Sequence, residues 1–149
     1  MVKLRRCDID DCDLLYRWAN DKIVRKNAFN TSPIPYSEHL NWFNKSLKSD
    51  TRVIFICIMD SIPVGMIRID IEGKEAVISY LVDSKHRGKG VGTQMLKLLH
   101  DIVVSEYKQI EKLIGLVKKE NIASCKAFEK VGYSSFEEEE LNKYVLKLY

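Results

Sequence analysis

The segment Arg87-Gly88-Lys89-Gly90-Val91-Gly92 constrains the fold more than any other stretch of the chain. Before it, Ala76 to Val82 reads as a strand. After it, Val91, Met95, Leu98, Leu99 and Ile102 recur at helical spacing and predict a helix over about 90–106. A glycine-rich turn that leads from a strand into a helix suits an anionic ligand. The first backbone N–H groups of a helix lack partners within the helix and lie at the positive end of its dipole. Glycines let phosphate oxygens approach the backbone without meeting a Cβ, and Arg87 and Lys89 add positive charge. The bland alternative is a tight strand-to-helix turn with no ligand. Two other phosphate signatures fail: a dinucleotide fingerprint starting at Gly88 needs Gly where Thr93 stands, and a P-loop needs Ser or Thr after Lys89.

The rest of the chain alternates strands and helices. Residues 2–7 read as a strand and 10–20 as a helix with Leu14, Leu15 and Trp18 on one stripe. Residues 26–35, with Pro33 and Pro35, read as irregular. Ser37 is a candidate cap for a helix over 38–48 whose stripe is Leu40, Phe43 and Leu47, with Trp42 pointing elsewhere and His39 at the flank. Val53 to Met59 is continuously apolar, as in a strand covered on both faces. Ser61-Ile62-Pro63 predicts a turn. Val64 to Ile71 alternates, with Met66, Arg68 and Asp70 on one side and Ile67, Ile69 and Ile71 on the other. Glu72-Gly73-Lys74 predicts a hairpin. Strands over 113–117, 133–139 and 141–148 and a helix over 122–131, capped by Asn121 and ended by Gly132, complete the order βααβββαβαββ. This predicts an α/β fold with a mixed sheet in one domain spanning 1–149.

Composition narrows the class. The chain has 149 residues, 46% hydrophobic and 30% charged, with a formal net charge of +3. That charge is too small and scattered for nucleic-acid binding by electrostatics. Cys7, Cys12, Cys57 and Cys125 show no zinc-ligand spacing, so no metal site is expected. The N-terminus lacks a signal-peptide core, and the longest apolar run is too short to span a bilayer. A reduced, cytoplasmic location without membrane contact is the expectation.

The loop resembles the acetyl-CoA motif of the GNAT superfamily of N-acetyltransferases, Q/R-x-x-G-x-G/A, filled by Arg87, Gly90 and Gly92. A second match lies downstream in Asn121, Phe128 and Gly132-Tyr133, and the element order agrees along nearly the whole chain. The resemblance implies a largely antiparallel sheet flanked by helices and splayed at the strand 76–82. It implies pantetheine in that gap, hydrogen-bonded near Leu81 and Val82. The pyrophosphate would lie on Arg87, Gly88, Lys89, Gly90, Val91, Gly92 and Thr93, and Asn121, Ser124 and Phe128 would line the cofactor. Two positions depart from the family. Phe128 stands where many members have a Tyr that protonates the leaving thiolate, and Val77 stands where many have a Glu. Tyr80 and Ser79 beside the expected thioester, Asn121 and His39 are then the catalytic candidates. His86 and His100 read as solvated.

For the acceptor, Trp18-Ala19-Asn20-Asp21, Val24-Arg25, Phe29, His39, Trp42-Phe43 and Arg68 are similar to the pattern of acetyltransferases acting on nucleotide-linked 4-amino sugars. Arg17, Arg25, His39, Trp42 and Arg68 are the candidate acceptor residues, since a sugar nucleotide asks for cations and an aromatic face. A protein N-terminus and a non-catalytic CoA-binding role stay open. A polyamine site asks for more carboxylates than Asp21 and Glu38. The implied chemistry is direct attack of an amine on the thioester in a ternary complex.

Overall fold

The computed structural model describes residues 2–149. Its elements are β1 (Val2–Arg6), α1 (Cys12–Ala19), α2 (Lys22–Asn27), α3 (Tyr36–Leu47), β2 (Arg52–Met59), β3 (Ile62–Glu72), β4 (Glu75–Val82), α4 (Val91–Glu106), β5 (Lys112–Lys118), α5 (Ile122–Lys130), β6 (Ser134–Glu137) and β7 (Leu141–Lys147). The described strands form one seven-stranded sheet in the order β1-β2-β3-β4-β5-β7-β6. Adjacent strands run antiparallel except β4 and β5, which are parallel.

Both faces of the sheet are covered, which is why β2 reads as continuously apolar. On one face Ile67, Ile69, Ile78 and Leu113 pack with Met95 and Leu99 of α4 and Phe128 of α5. On the other, Ile54, Ile56 and Met66 pack with Leu15 and Trp18 of α1 and Phe43 of α3. The period-2 alternation of β3 divides its residues between these two cores as the pattern requires.

Four local expectations are corrected. Residues 22–27 form α2, a helix that the sequence did not announce and whose end overlaps the stretch 26–35 read as irregular: Asp21 caps its first turn, accepting from the N–H of Ile23 and Val24, and none of its described residues is buried. Because α2 has no apolar stripe, periodicity is silent about it. The turn before β3 falls at Asp60 and Ser61, both with positive φ (50° and 68°), rather than at 61–63. That pair of left-handed residues matches the twist of a two-residue hairpin, and Pro63 lies within the strand. Helix α3 starts at Tyr36 behind an extended Pro35 with no described side-chain cap, so Ser37 lies inside it. Its buried face is His39, Phe43 and Ser46, while Leu40 and Leu47 are exposed.

The feature that shapes a site is the splay between β4 and β5. β4 pairs with β3 up to Val82, and β5 pairs with β7 up to Lys118. The two strands pair with each other only from Glu75–Lys112 to Ile78–Gly115. Beyond Ile78 they diverge, and backbone groups of β4 turned toward β5 lose their partners.

Candidate active site

Alternation along β4 decides which groups enter the gap. The Asp83 N–H donates to the Val64 carbonyl across the β3 ladder (2.8 Å). Leu81 and Ser79 therefore also turn their backbone groups toward β3, whereas Tyr80 and Val82 turn theirs toward the splay. Leu81 is thus corrected as a backbone ligand. Its peptide groups face Met66, and its side chain packs on the α1/α3 face. Val82 remains, and Tyr80 joins it.

The loop after β4 is built by capping. Asp83 accepts from the Lys85 N–H and opens a short 3-10 turn over Ser84–His86. Gly88 and Gly90 then adopt φ of 77° and 78°, left-handed values that favour glycine. No described atom lies within 4 Å of where a Cβ would stand on either. Gly90 is the N-cap of α4, and no described side chain caps that helix. The first N–H groups of α4 are therefore left for a ligand. Gly92 has a different cause: a Cβ there would lie 2.9 Å from Tyr80 Cε2, so the glycine admits the tyrosine ring. Lys89 is exposed, and Val91 is a buried core residue, so only its backbone faces the loop. Thr93 is half-buried in the first turn.

Tyr80 leans under this helix start, with its ring 6.0 Å from Phe128. Burial raises its pKa, partly offset by a hydrogen bond with Ser124, so the phenol keeps its proton. Asn121 caps α5, accepting from the Ser124 N–H (3.3 Å). Phe128 is core, which corrects the expectation that it lines the cofactor. It is 2% exposed, lies between Tyr133 and Tyr144, and presses its ring on Gly115.

On the opposite face, Ser79 pairs with Arg68 across β3–β4. His39 is corrected too: it is 3% exposed, with Nε2 2.9 Å from the Cys12 carbonyl and aromatic rings around it. Sequence spacing put it at the edge of the helix stripe, but the stripe itself is rotated. Arg25 holds the 28–32 backbone, donating to the carbonyls of Ala19, Asn30 and Ser32. Trp42 lies under two guanidinium groups, of Arg52 and Arg68, each 5.5 Å from a ring centroid. Both arginines are held by Asp70. Arg25, Arg68 and Trp42 are thus engaged within the chain, while Arg17 is exposed at a cleft.

That cleft has a volume of about 530 Å³ and lies at the C-terminal end of β4. Its walls include Arg17, Trp18, Val82, Asp83, His86 and Arg87. Trp18 Nε1 donates to Asp83 (2.9 Å), His86 Nδ1 lies 3.2 Å from the same carboxylate, and Arg87 donates to Asp21 (2.7 Å). Of these, Asp83 was not singled out from sequence, His86 was read as solvated, and Trp18 and Asp21 entered only through the acceptor-side pattern. The one signal was a carboxylate three residues before a histidine at a strand end. Among the described residues no group of three or more His, Cys, Asp and Glu is placed to hold a metal. No helix among them is long and apolar enough to cross a membrane.

A splayed parallel pair beside an uncapped, glycine-led helix is the arrangement of an acyl-CoA acetyltransferase, and the comparisons agree. Residues 2–134 match the family model described as an acetyltransferase (GNAT) domain. The chain belongs to the GNAT acetyltransferase family: it is an N-acetyltransferase domain whose co-substrate is acetyl-CoA. A stretch of 68 residues, 46% of this chain, is 32% identical to the N-acetyltransferase YobR of Bacillus subtilis, and the match spans 27% of YobR's length. The spermidine N-acetyltransferase of Vibrio cholerae, solved with CoA and spermine, has a TM-score of 0.89 at 16% identity, over 99% of this chain and 95% of that one. The N-acetyltransferase PseH of Campylobacter jejuni has a TM-score of 0.74 at 19% identity, over 98% and 97%. At these identities the two structures speak for the fold.

Proposed function

We propose that this chain moves the acetyl group of acetyl-CoA to a primary amine carried on an anionic small molecule, a nucleotide-linked amino sugar. The observation that carries the transfer is the unpaired end of β4 lying next to the uncapped start of α4. Pantetheine hydrogen-bonds to the free backbone of Tyr80 and Val82, completing the parallel ladder that β5 abandons. The pyrophosphate sits on the N–H groups following Gly88 and Gly90, each such charge-assisted bond contributing about 1.5–3 kcal/mol. The Tyr80 N–H, deeper in the splay than Val82, polarises the thioester carbonyl. The Tyr80 phenol, which keeps its proton, donates to the departing thiolate in place of the hydroxyl that Phe128 lacks. Asn121 fixes the start of α5 beside the cofactor.

The acceptor assignment rests on charge. A second hollow, about 450 Å³, is lined by Tyr16, Lys22, Arg25 and Lys26 and by no carboxylate. Lys22 and Lys26 beside an aromatic ring, with the charge of Arg25 behind them although its donors are held by backbone carbonyls, favour a phosphorylated acceptor. They oppose a polyamine, the more so because Asp21 and Asp83 already hold Arg87 and His86. The four free cysteines suit a reducing cytoplasm.

The test is thiol release from acetyl-CoA with three acceptors in parallel: a UDP-linked 4-amino-4,6-dideoxy sugar, spermidine, and a peptide with a free N-terminus. Release with the sugar nucleotide supports the proposal. Release with spermidine or the peptide alone overturns the acceptor and keeps the transferase. Release with none, under conditions where acetyl-CoA binds, overturns catalysis.

A further inference from the structure

We infer that Asp21 is a positioning residue that sets the wall of the acceptor hollow from the cofactor loop, through its ion pair with Arg87. This rests on the transferase reading proposed above and names the link by which the site of one substrate shapes the site of the other.

Helix α2 stands between the two cavities. Lys22, Arg25 and Lys26 line the hollow of about 450 Å³, whereas Asp21 and Val24 line the cleft that Arg87 also borders. Isolated helices shorter than about 12–15 residues are marginal in water, and this one has six residues, none of them buried. Its place is therefore set by its tethers. At its end the Lys118 ammonium donates to the Lys26 carbonyl (3.1 Å). From its middle Arg25 donates to the carbonyls of Ala19, Asn30 and Ser32. At its start one oxygen, Asp21 Oδ1, accepts three hydrogen bonds: from the N–H of Ile23 (3.0 Å), the N–H of Val24 (3.2 Å) and Arg87 Nη2 (2.7 Å). Of these tethers only the last ends on the loop that leads into α4. The oxygen that caps α2 is the oxygen that holds the cofactor loop.

Both members of the pair are charged. Burial by itself would raise the pKa of Asp21, but hydrogen bonds from Arg87, Val24 and Ile23 outweigh it and hold the carboxylate below its ordinary value. Arg87 has donors to spare. A guanidinium carries five N–H groups, and the bond from Nη2 to Asp21 is its one side-chain hydrogen bond among the described residues. Its side chain is 29% exposed, so it can keep Asp21 and take a phosphate oxygen as a second anion. Bound pyrophosphate then fixes the guanidinium, the guanidinium fixes Asp21, and Asp21 fixes the first turn of α2. The order reaches the far side of the hollow as well, because Arg25 holds the backbone at Asn30 and Ser32 and Thr31 between them lines the hollow. Linkage makes the effect mutual: a factor by which acetyl-CoA tightens the acceptor is the factor by which the acceptor tightens acetyl-CoA.

The experiment follows amide hydrogen exchange across residues 22–34 with and without saturating CoA. It compares the parent chain, Asp21→Asn, Arg87→Gln and the double variant, with calorimetry for CoA binding and circular dichroism for folding. Asparagine keeps a capping oxygen and removes the charge. Expected in the parent is exchange at least about fivefold slower with CoA, the lower end of ordinary coupling between sites. Each single variant is expected to lose that slowing, and the double variant to lose no more than either, as two members of one link should. A merely structural Asp21 would speed exchange equally with and without CoA. With whichever of the three acceptors above releases thiol, Asp21→Asn is expected to raise the acceptor KM by about fivefold or more with kcat unaltered, the mark of lost uniform binding. Slowing by CoA in Asp21→Asn as large as in the parent, no slowing in a parent that binds CoA, or an unchanged acceptor KM overturns the inference and leaves the transferase standing. A parent that binds no CoA overturns the cofactor reading and the inference together. A parent that binds CoA and transfers to no amine overturns the function alone, and the exchange measurement still decides the link.

Discussion

Placing a tyrosine at position 128 would supply the hydroxyl that Phe128 lacks, and the packing around that ring argues that it fails. Phe128 lies against Gly115, where β4 and β5 part, with Cζ and Cε1 standing 2.4 and 2.6 Å from where a Cβ on Gly115 would be. The ring therefore already fills the hollow over the glycine, and a para hydroxyl adds an atom at its crowded tip, among Tyr80, Tyr133 and Tyr144. Overpacking of this kind costs about 1–3 kcal/mol. Burying a hydroxyl without a partner adds about 1–3 kcal/mol. Phe128→Tyr is therefore expected to lose about 2–6 kcal/mol, a large share of the roughly 5–15 kcal/mol that holds a domain together. In a chain of this size that is a melting temperature lower by about 4–24 °C. Thermal and urea unfolding followed by circular dichroism measure the loss, and thiol release measures the rate. Gly115→Ala probes the same contact from the other side and is expected to lose about 1–3 kcal/mol. If Phe128→Tyr is as stable as the parent and releases thiol faster, the ring faces the cofactor after all and the packing argument fails.

Other variants separate cofactor binding, catalysis and stability. Gly90→Asn tolerates a left-handed backbone while placing a side chain in open space above the helix start. It is expected to keep the fold and weaken acetyl-CoA binding by at least about tenfold, equivalent to roughly 1.4 kcal/mol, and calorimetry showing unchanged affinity contradicts the loop assignment. Gly90→Val is the poorer probe, since a β-branched residue at φ 78° strains the backbone as well. Gly92→Ala gains about 1 kcal/mol of helix propensity but pushes on Tyr80, so kcat is expected to fall with little net change in stability. A clear gain in stability with kcat unaltered means the ring is not held there. Asp11 is held below the ordinary carboxylate pKa by the paired hydrogen bonds of Arg5, against the opposing effect of burial. A lowered folded-state pKa means its stabilisation is complete above the unfolded value, near 4, and is lost as pH falls through the folded value. Asp11→Asn should cost about 1–2 kcal/mol at pH 7, discounted because Arg5 is partly solvated. Urea unfolding of the two chains should draw together as pH falls below about 4 and meet below the folded-state pKa of Asp11, and a difference that does not shrink over that fall refutes the linkage.

The strand order, the covered sheet and the cofactor loop were legible because each leaves a local signature: alternation in β3, a continuous apolar β2, glycines at a strand-to-helix turn. The α2 helix left none, since its residues face solvent and only Asp21 marks its start. The face of α3 was misjudged because His39 and Ser46 are buried by partners on α1 and β2, which no spacing reveals. The same limit hid Asp83 and His86: a pair three residues apart in a loop reads as solvated until Trp18, 65 positions away, is brought against it. The glycines at 90 and 92 look alike in sequence, yet one answers to backbone handedness and the other to a tyrosine ring.

Helix α2 reaches across the open end of the splay, tied to the β4 side by Asp21 and Arg87 and to the β5 side by the Lys118 ammonium on the Lys26 carbonyl. Since none of its described residues is buried, this helix, the wall proposed to meet the acceptor, contributes little to the core. Its sequence is free to drift without the fold being solved again. A lineage built this way changes customers by rewriting six residues, none of them buried, while the machinery that handles the acetyl group stays where it was.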